Sequence, residues 1–479
     1  MSDSWYRHPL AAVLVAVALT VPWVAVWATG ADADFSPLTT VAVSGLSVLG
    51  ASFLLAWAAE TAEKDVPRAF ALAVLAVLAV APEYAVDALY AWGAGSKGAT
   101  AEACGQLAAR NPALIESVTT IPRSQIDTAA EQLALGCHEG NLAVANMTGA
   151  NRILIGIGWA GIAAFTVWQA RRTSDPAVES RRGFLADVVH LDRSIATEIT
   201  FLFLATAWAF LVPLGGGIDV VDLVVLVGLY VVYIGIIISG DVEADTEHVG
   251  VPAHLQSYGR SVRVPIVLSL FLYSGFLILT AVEPFAHNLE TLGTAIGIPA
   301  FFMIQWIAPL ASESPELIVV AVLVWKARST AGFNALISSK LNQWTLLIGT
   351  LVVVYSIALG QYGTLPFDLE QTGEIWITAA QSYFALALLV NFTISMREAV
   401  ALFGLFISQV ALEFVFLKFW QPFPSPKLAL LLTYTAIYLL AGTALFVARR
   451  DDLRRLLGLA ADAARSAVGG DGPDVERAD

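Results

Sequence analysis

The sequence predicts an all-α polytopic membrane protein with about 12 transmembrane helices, arranged as an inverted-topology repeat of five helices per half with one extra span at each end. Three observations predict this architecture: an apolar composition, the number of long apolar stretches, and a Pro-Glu element that occurs twice. Of the 479 residues, 57% are hydrophobic and 14% are charged, and the mean hydropathy is +0.71. Soluble domains carry about 25% charged residues, so the chain is expected to lie in a bilayer.

Each predicted span contains about 20 or more mostly apolar residues. In the first half the spans lie near 9–29, 38–59, 66–92, 140–170, 195–213 and 218–239, and in the second half near 262–282, 290–326, 341–360, 372–395, 398–418 and 427–448. The first stretch ends without a small-residue cleavage site, so it is expected to be a retained helix. The tail after Leu453 is predicted either as an amphipathic surface helix or as a disordered end.

The distribution of basic residues predicts the orientation. Lys and Arg accumulate in cytoplasmic loops, and here they flank alternate connections, from Arg7 before the first span to Arg449 after the last. The connections after the first, fifth, seventh and ninth spans contain neither residue. We therefore expect a multi-pass plasma-membrane protein with both termini in the cytoplasm.

The spans and their connections define the expected domain organisation. It comprises an additional N-terminal helix (1–37), a first repeat half (38–240) with a long outer loop (93–139), an acidic cytoplasmic linker (241–261), a second repeat half (262–418), an additional C-terminal helix (419–450) and a cytoplasmic tail (451–479). The outer loop contains both cysteines, Cys104 and Cys137. Two thiols in a loop outside the cell favour a disulfide over two unpaired thiols.

A net charge of −14 argues against nucleic acid or other anionic partners. The expected partners are inorganic cations and the lipid bilayer. The acidic balance also suggests a salt-rich setting, such as that of a halophilic prokaryote.

The Pro-Glu element gives the first evidence for a repeat. Residues 82–92 and 315–325 align without a gap and share Pro, Glu, Val, Ala and Trp at matching positions. The charge pattern makes the third span run outward and the eighth run inward, so the two elements enter the membrane from opposite sides. Secondary transporters use such inverted repeats, with substrate sites near the midplane.

The prolines and the acids together predict cation ligands. Pro82 and Pro315 lack the N–H groups that would bond the carbonyls of Leu78 and Ala311, so these carbonyls are expected to be free in interrupted helices. Glu83 and Glu316 follow directly and add hard oxygen ligands of the kind that Na⁺ and Ca²⁺ prefer.

Two further acids lie nearby in the sequence. Asp87 is on the same helical face as Glu83, and Glu313 is one turn before Glu316. Intramembrane carboxylates are costly unless they are paired, protonated or bound to cations. The alternative for Asp87 and Glu313 is a position at a helix end, with the carboxylate reaching water.

These residues resemble the signatures of the calcium/cation antiporter superfamily, which includes the sodium/calcium exchangers. The family's Gly-Thr-Ser-x-Pro-Glu signature is similar to residues 78–83 and to residues 311–316, and its asparagine signature is similar to residues 145–151. The resemblance implies that Glu83 and Glu316 are the central metal ligands. It also implies roles for Ser312, Asn146 and Asn151.

The sequence departs from this pattern in both halves. The first signature has Ala79 and Val80 in place of hydroxyl residues, and Glu313 stands where the family has a small hydroxyl residue. The second asparagine signature fits in two registers. The favoured register places Asn342 and Gln343 opposite Asn151 and Arg152 and continues without a gap to Gly349, which makes both candidate ligands; the other places Lys340 opposite Asn151.

Arg152 leaves three interpretations open. It pairs with an acid inside the bundle, mimics a cation in the site, or extends its guanidinium toward the membrane surface.

The resemblance implies an antiporter that exchanges Ca²⁺ for Na⁺ or H⁺ by alternating access. The chain is not expected to be an enzyme or to need a cofactor, since no nucleophile with a base and no complete metal-ligand set can be assembled from the sequence. A Na⁺/H⁺ antiporter that does not transport Ca²⁺ is the first alternative, and a cation-selective channel lined by the acids is the second.

Overall fold

The computed structural model describes most of the chain, largely as α-helix. The described residues are 8–31, 35–66, 80–118, 121, 125–172, 175–239, 250–419 and 426–467. The prediction for Leu78 and those for residues 241–249 of the linker and 468–479 of the tail lie outside them.

The helices follow the predicted pattern. In chain order they are α1 (Pro9–Thr29), α2 (Pro37–Ala62), α3 (Ala81–Ser96), α4 (Ala101–Arg110), α5 (Pro112–Ser117), α6 (Ala129–Ile153), α7 (Ala160–Ala170), α8 (Ala196–Ala209), α9 (Val220–Ser239), α10 (Val251–Gln256), α11 (Arg260–Ala295), α12 (Ala300–Trp306), α13 (Ala308–Trp325), α14 (Ser329–Asn342), α15 (Ile348–Leu359), α16 (Leu369–Leu389), α17 (Met396–Phe419), α18 (Pro426–Ala448) and α19 (Arg450–Ala467). Two π-helical segments, Leu154–Trp159 and Gln343–Leu347, join α6 to α7 and α14 to α15.

Within the described residues, ten helical segments are long and apolar enough to cross a membrane, and they coincide with ten of the predicted spans. Of the remaining two, the third predicted span is described only in its second part, as α3, and the tenth is α16. The α-helical polytopic fold class is therefore confirmed.

The boundary between the seventh and eighth predicted spans was wrong. The sequence suggested a break between 282 and 290, but α11 continues for 36 residues through Pro284 and ends at Ala295. The polar residues of this stretch belong to the helix because they have partners there: Tyr90 of α3 donates a 2.7 Å hydrogen bond to Glu290, and Asn288 donates to the carbonyl of Pro284.

The predicted outer loop 93–139 is largely helical. It contains the end of α3, all of α4 and α5, and the first turns of α6. The start of α6 is fixed by a capping box in which Thr128 and Glu131 exchange hydrogen bonds with each other's backbone. The predicted disulfide is confirmed: Cys104 on α4 is bonded to Cys137 on α6, with their Cα atoms 5.9 Å apart.

Five short strands, too short to give a sequence signal, connect loops from the two halves of the chain. β1 (Val178–Glu179), β2 (Val188–His190) and β5 (Thr393–Ser395) form an antiparallel sheet in the order β1-β2-β5, in which Val189 is opposite Ile394. β3 (Gly217–Ile218) pairs antiparallel with β4 (Leu365–Pro366).

The two sheets agree with the predicted alternation of sides. The first sheet joins the loops after the fourth and tenth spans, and the second joins the loops after the fifth and ninth. The charge pattern assigns the first pair of loops to the inside and the second pair to the outside. Which side faces the cytoplasm stays a prediction.

The candidate site lies between two apolar clusters. One cluster includes Trp159 and Trp344 and covers α6 to α9 with α14 to α16, and the other includes Trp23 and Phe285 and covers α1 to α3 with α11 and α12. Between them, α3, α6 and α13 contact one another, and α13 also packs on α14. These four helices and the π-helical segment after α14 carry the described candidate ligands.

The first part of the tail is helical. Leu456 and Ala460 of α19 are buried, and the helix packs against α8 and α9. The amphipathic-helix interpretation therefore holds for residues up to Ala467.

Candidate functional site

The first Pro-Glu element lies at the start of a helix. Pro82 is in the first turn of α3, where its missing N–H leaves no intrahelical bond unmade. Glu83 in the same turn and Asp87 one turn later are 2% and 0% exposed. Both side chains are therefore held in the interior on one face of α3.

The second Pro-Glu element lies inside a helix, which corrects the expectation that both prolines interrupt their helices. The helix α13 continues through Pro315, and the break occurs at Ile307, between α12 and α13. Pro309 explains the position of the break, because it lies in the first turn of α13 and has no N–H for the carbonyl of Gln305.

Four carboxylates from the two elements meet in the interior. Glu83 lies next to Glu313, and its charge interacts with those of Glu313, Asp87 and Glu316. Glu313 is 2% exposed and Glu316 is half-buried. Asp87 and Glu313 are thus interior groups, not helix-end acids that reach water.

Two side-chain amides hold two of these carboxylates. Asn146 of α6 donates a 2.8 Å hydrogen bond from Nδ2 to Asp87 Oδ1. Gln343, in the π-helical segment after α14, donates a 2.7 Å hydrogen bond from Nε2 to Glu313 Oε1. In each pair the amide nitrogen faces the carboxylate, which leaves the amide oxygen free to act as a ligand.

The site is rich in buried oxygen atoms that lack a donor. Among the described residues, no hydrogen-bond donor reaches the following buried atoms: Glu83 Oε1 and Oε2, Asp87 Oδ2, Asn146 Oδ1, Glu313 Oε2, Glu316 Oε2 and Gln343 Oε1. Carboxylate and amide oxygens are what hard cations such as Ca²⁺ and Na⁺ bind. Buried oxygens of this kind are costly unless a proton or a cation neutralises them.

The carboxylates alone do not complete a metal site. Across the described ranges, no three His, Cys, Asp or Glu side chains are already arranged to hold a metal ion. A bound cation would therefore also need amide, carbonyl or water oxygens, and Asn146 and Gln343 are placed to supply them.

The remaining predicted ligands differ in burial and in whether their oxygens are already hydrogen-bonded. Asn151 accepts a 2.6 Å hydrogen bond from Lys340 on its Oδ1, so that oxygen is already engaged. The Ser312 hydroxyl donates to the carbonyl of Pro309 in its own helix, at 3.3 Å. Asn342 is the last residue of α14 and is 8% exposed, and Ala311 is half-buried in α13.

The π-helical segments bear on the register of the second asparagine signature. They begin at Leu154 and Gln343, and the alignment that superposes these starts places Lys340 opposite Asn151. This favours the Lys340 register over the Asn342 register. π-Helical segments are frequent at functional sites.

A second charged cluster, which the sequence missed, pairs buried acids with two buried cations. Arg152 donates a 2.8 Å hydrogen bond to Glu374 of α16, which also accepts from Gln305 at 2.7 Å. Lys427 lies 3.3 Å from Glu374 and 3.6 Å from Glu413, and all four charged residues are at most 3% exposed. Arg152 therefore pairs with an acid inside the bundle, which is the first of the interpretations left open by the sequence.

The two clusters differ in their charge balance. In the second cluster, two buried carboxylates and the more exposed Glu370, which lies 3.5 Å from Lys427, face two buried cations, so at most one negative charge is left for a mobile ion. In the first, four carboxylates lie together, and no ion pair of the described residues includes any of them. A signal for the second cluster was present in the sequence, since Glu374 lies within a predicted span, but nothing in a linear pattern pairs it with Arg152.

The comparison with known families is decisive. The family model described as "Sodium/calcium exchanger protein" matches residues 116–239 and 266–415. The chain belongs to the sodium/calcium exchanger protein family. The second matched segment of the exchanger family includes Glu313 and Glu316, whereas the first begins after Glu83. The predicted resemblance to calcium/cation antiporters is confirmed.

Solved structures of exchangers agree with this assignment. The crystal structure of an H⁺/Ca²⁺ exchanger, CAX, is similar over 95% of this chain and 98% of that chain, with 40% sequence identity and a TM-score of 0.77. The crystal structure of a Ca²⁺/H⁺ antiporter protein, YfkE, covers 85% of this chain and 99% of that one, with 12% identity and a TM-score of 0.50, which concerns the fold alone. No curated protein matches the sequence.

Proposed function

We propose that this protein is a secondary-active antiporter that exchanges Ca²⁺ for H⁺ by alternating access, with the cation bound between the two Pro-Glu elements near the membrane midplane. The observation that carries the proposal is the acid surplus of the first cluster. Its carboxylate oxygens come from α3 and α13 and its amide oxygens from α6 and the π-helical segment after α14, and seven of these buried oxygens lack donors in the described residues.

Competition for the same negative charge supplies the coupling. Glu83 and Glu316 together balance one Ca²⁺ or two protons, so either load neutralises the site for movement across the membrane. The empty, charged site is much harder to carry through a low-dielectric environment. Exchange then follows because the two loads exclude each other.

The choice of H⁺ as the counter-ion rests on two supports. The relative with 40% identity is an H⁺/Ca²⁺ exchanger. In addition, the first Pro-Glu element has Ala79 and Val80 where the sodium/calcium exchanger signature has hydroxyl residues, which removes two oxygen ligands for Na⁺.

The proposed placement in the membrane follows from the loops. We assign both termini to the cytoplasm of a plasma membrane, with the Cys104–Cys137 disulfide outside, because the charge pattern of the shorter loops assigns the disulfide-bearing loop to the outer side, although that long loop itself carries Lys97, Arg110 and Arg123. The inverted repeat of two five-helix halves belongs to the same proposal. The acidic balance of the sequence supports a halophilic source.

The proposal is tested by Ca²⁺ uptake into proteoliposomes under an outward proton gradient, an outward Na⁺ gradient or no gradient. Wild-type protein is compared with Glu83→Gln and Glu316→Gln, and with the surface variant Glu102→Gln as a matched control. We expect uptake driven by the proton gradient, retained in the control and lost in both site variants.

Other outcomes would change the assignment. Uptake driven only by Na⁺ would make Na⁺ the counter-ion. Proton movement driven by Na⁺ without any Ca²⁺ uptake would support the Na⁺/H⁺ antiporter, and Ca²⁺ entry without a counter-ion gradient would support a channel.

A further inference from the structure

A groove of about 950 Å³ lies between α1, α2, α10 and α13, away from the two charged clusters. Its walls are apolar and include Val15 of α1, Phe53 of α2 and Ile318 of α13. Val15 is 59% exposed and Ile318 is 48% exposed, so the groove is open to the surroundings of these helices. Because the chain spans a membrane, those surroundings are lipid.

The polar residues of the groove lie toward one side of the membrane. His8 precedes α1, Lys326 follows α13, and His254 belongs to α10. The charge pattern assigns all three positions to the cytoplasmic side. From His8 the groove follows α1 as far as Leu19, which is about 16 Å along a helix. This length is about half of the ~30 Å hydrocarbon core, so the groove is as deep as one leaflet.

The polar end of the groove suits an anion. Lys326 is exposed, and its ammonium has no hydrogen-bond or ion-pair partner in the part of the chain that the structure describes. The rings of His8 and His254 pack edge to face, with their centres 4.8 Å apart. His8 Nδ1 accepts a 3.3 Å hydrogen bond from the backbone N–H of Leu10, so the neutral ring carries its hydrogen on Nε2, where it can be donated.

The groove also has no acid that would compete for these donors. None of the described residues that line it is Asp or Glu, although the chain has 40 acids and 26 lysines and arginines. An apolar channel with a basic, acid-free end matches a phospholipid, whose acyl chain is apolar and whose phosphate is anionic.

The far wall of the groove is the helix that carries two of the site carboxylates. Ile318 and Val322 are four residues apart and therefore lie on one face of α13, whereas Glu313 and Glu316 lie on the opposite face. A molecule in the groove would pack between α1 and the back of this helix.

We propose that the groove binds one acyl chain of an anionic phospholipid from the cytoplasmic leaflet, with the lipid phosphate held by Lys326 and His8. This lipid site goes beyond the exchange of cations and links the additional N-terminal helix to α13. The charge of a lysine near an anionic lipid surface accounts for a preference of about fivefold over a lipid without net charge.

The test titrates the full-length protein in detergent with phosphatidylglycerol or with phosphatidylcholine. Lys326→Gln removes the charge, and Arg182→Gln, an exposed arginine in the loop after α7, is its matched control. Ala12→Trp fills the groove, and Ala18→Trp, also exposed on α1 but not among the lining residues, is its matched control. The readouts are the dissociation constant of the first bound lipid by native mass spectrometry and the shift in melting temperature that each lipid causes.

We expect wild-type protein and both controls to bind phosphatidylglycerol about fivefold more tightly than phosphatidylcholine and to be stabilised more by it. Lys326→Gln should bind both lipids equally, and Ala12→Trp should lose the first lipid of either kind. Equal binding of the two lipids by wild-type protein would overturn the inference, as would unchanged lipid binding in a folded Ala12→Trp variant. If Ala12→Trp does not fold, a retained preference in Lys326→Gln would overturn it.

A dimer mass that Ala12→Trp abolishes would assign the groove to a second copy of the chain and would also contradict the lipid site. Lipid binding is measured here without Ca²⁺ or an ion gradient. Its outcome is therefore independent of the proposed exchange function.

Discussion

Gln343 offers a sharp test of the candidate site, because it both holds Glu313 and presents a free oxygen. Its Nε2 donates a 2.7 Å hydrogen bond to Glu313 Oε1, and no donor in the described residues reaches its own Oε1. The variant Gln343→Met keeps the side-chain volume and removes both functions. A hydrogen bond to a charged group contributes about 1.5–3 kcal/mol. The variant should therefore bind Ca²⁺ about 10- to 150-fold more weakly.

The assay is Ca²⁺ calorimetry in detergent, with Gln169→Met as the matched control. Gln169 is also buried, and it donates to the backbone carbonyl of Trp325, away from the acids. We expect wild-type affinity in the control. Wild-type affinity in a folded Gln343→Met variant would refute the reasoning that Gln343 positions Glu313 and completes the ligand set.

Three further predictions concern the scaffold around the site. A Cβ on Gly149 would stand 1.8 Å from the backbone carbonyl oxygen of Gln305 on α12. Gly149→Ala should therefore push α12 away, lower the melting temperature and slow Ca²⁺ transport. An unchanged melting temperature and transport rate would contradict this close contact. The Cys104–Cys137 disulfide joins residues 33 positions apart, and the loss of chain entropy in the unfolded state stabilises the fold by about 4 kcal/mol. The variant with both cysteines replaced by Ser should therefore be cleaved faster by protease in this segment. Equal cleavage rates would contradict this stabilisation. The Arg263 guanidinium lowers the pKa of Asp65, so this pair stabilises the fold above the pKa of an unfolded aspartate, about 4, and the contribution is lost as the pH falls through the lowered value. Thermal unfolding of Asp65→Asn should accordingly differ from wild type at neutral pH and converge with it in acid, and a constant difference would count against the pairing.

The spans were predictable because length and hydropathy decide them. Ten described helices coincide with predicted stretches. The break between the seventh and eighth spans was misplaced because a hydropathy scan assigns polar residues to loops. Glu290 shows the limit of that rule, since it is kept in a helix by a tertiary hydrogen bond from Tyr90 that no local pattern encodes.

The candidate site was predictable where the two halves repeat. The matching Pro-Glu elements predicted that Glu83 and Glu316 lie close together, and in the structure their charges interact. The two identical Pro-Glu dipeptides, however, occupy different positions in their helices. Pro82 starts a helix and Pro315 lies within one, because Pro309 sets the helix start in the second half.

The parts that could not be predicted are those that depend on which helices touch. Arg152 forms an ion pair with Glu374, which lies more than two hundred positions away in the sequence. Likewise, Lys340 and Asn151 belong to different halves, and only the packing of α6 against the segment after α14 lets them bond. Both pairs are buried polar contacts, and the sequence shows their members only as isolated polar residues.

The central claim is that a divalent cation binds between the two Pro-Glu elements, and anomalous diffraction from crystals soaked in Sr²⁺, which replaces Ca²⁺, tests it most directly. The account predicts an anomalous peak within coordination distance, about 2.3–2.6 Å for Ca²⁺ and slightly longer for Sr²⁺, of carboxylate oxygens of Glu83 and Glu316. A peak at the Glu374–Glu413 cluster, or no peak between the two elements in protein that transports Ca²⁺, would contradict it.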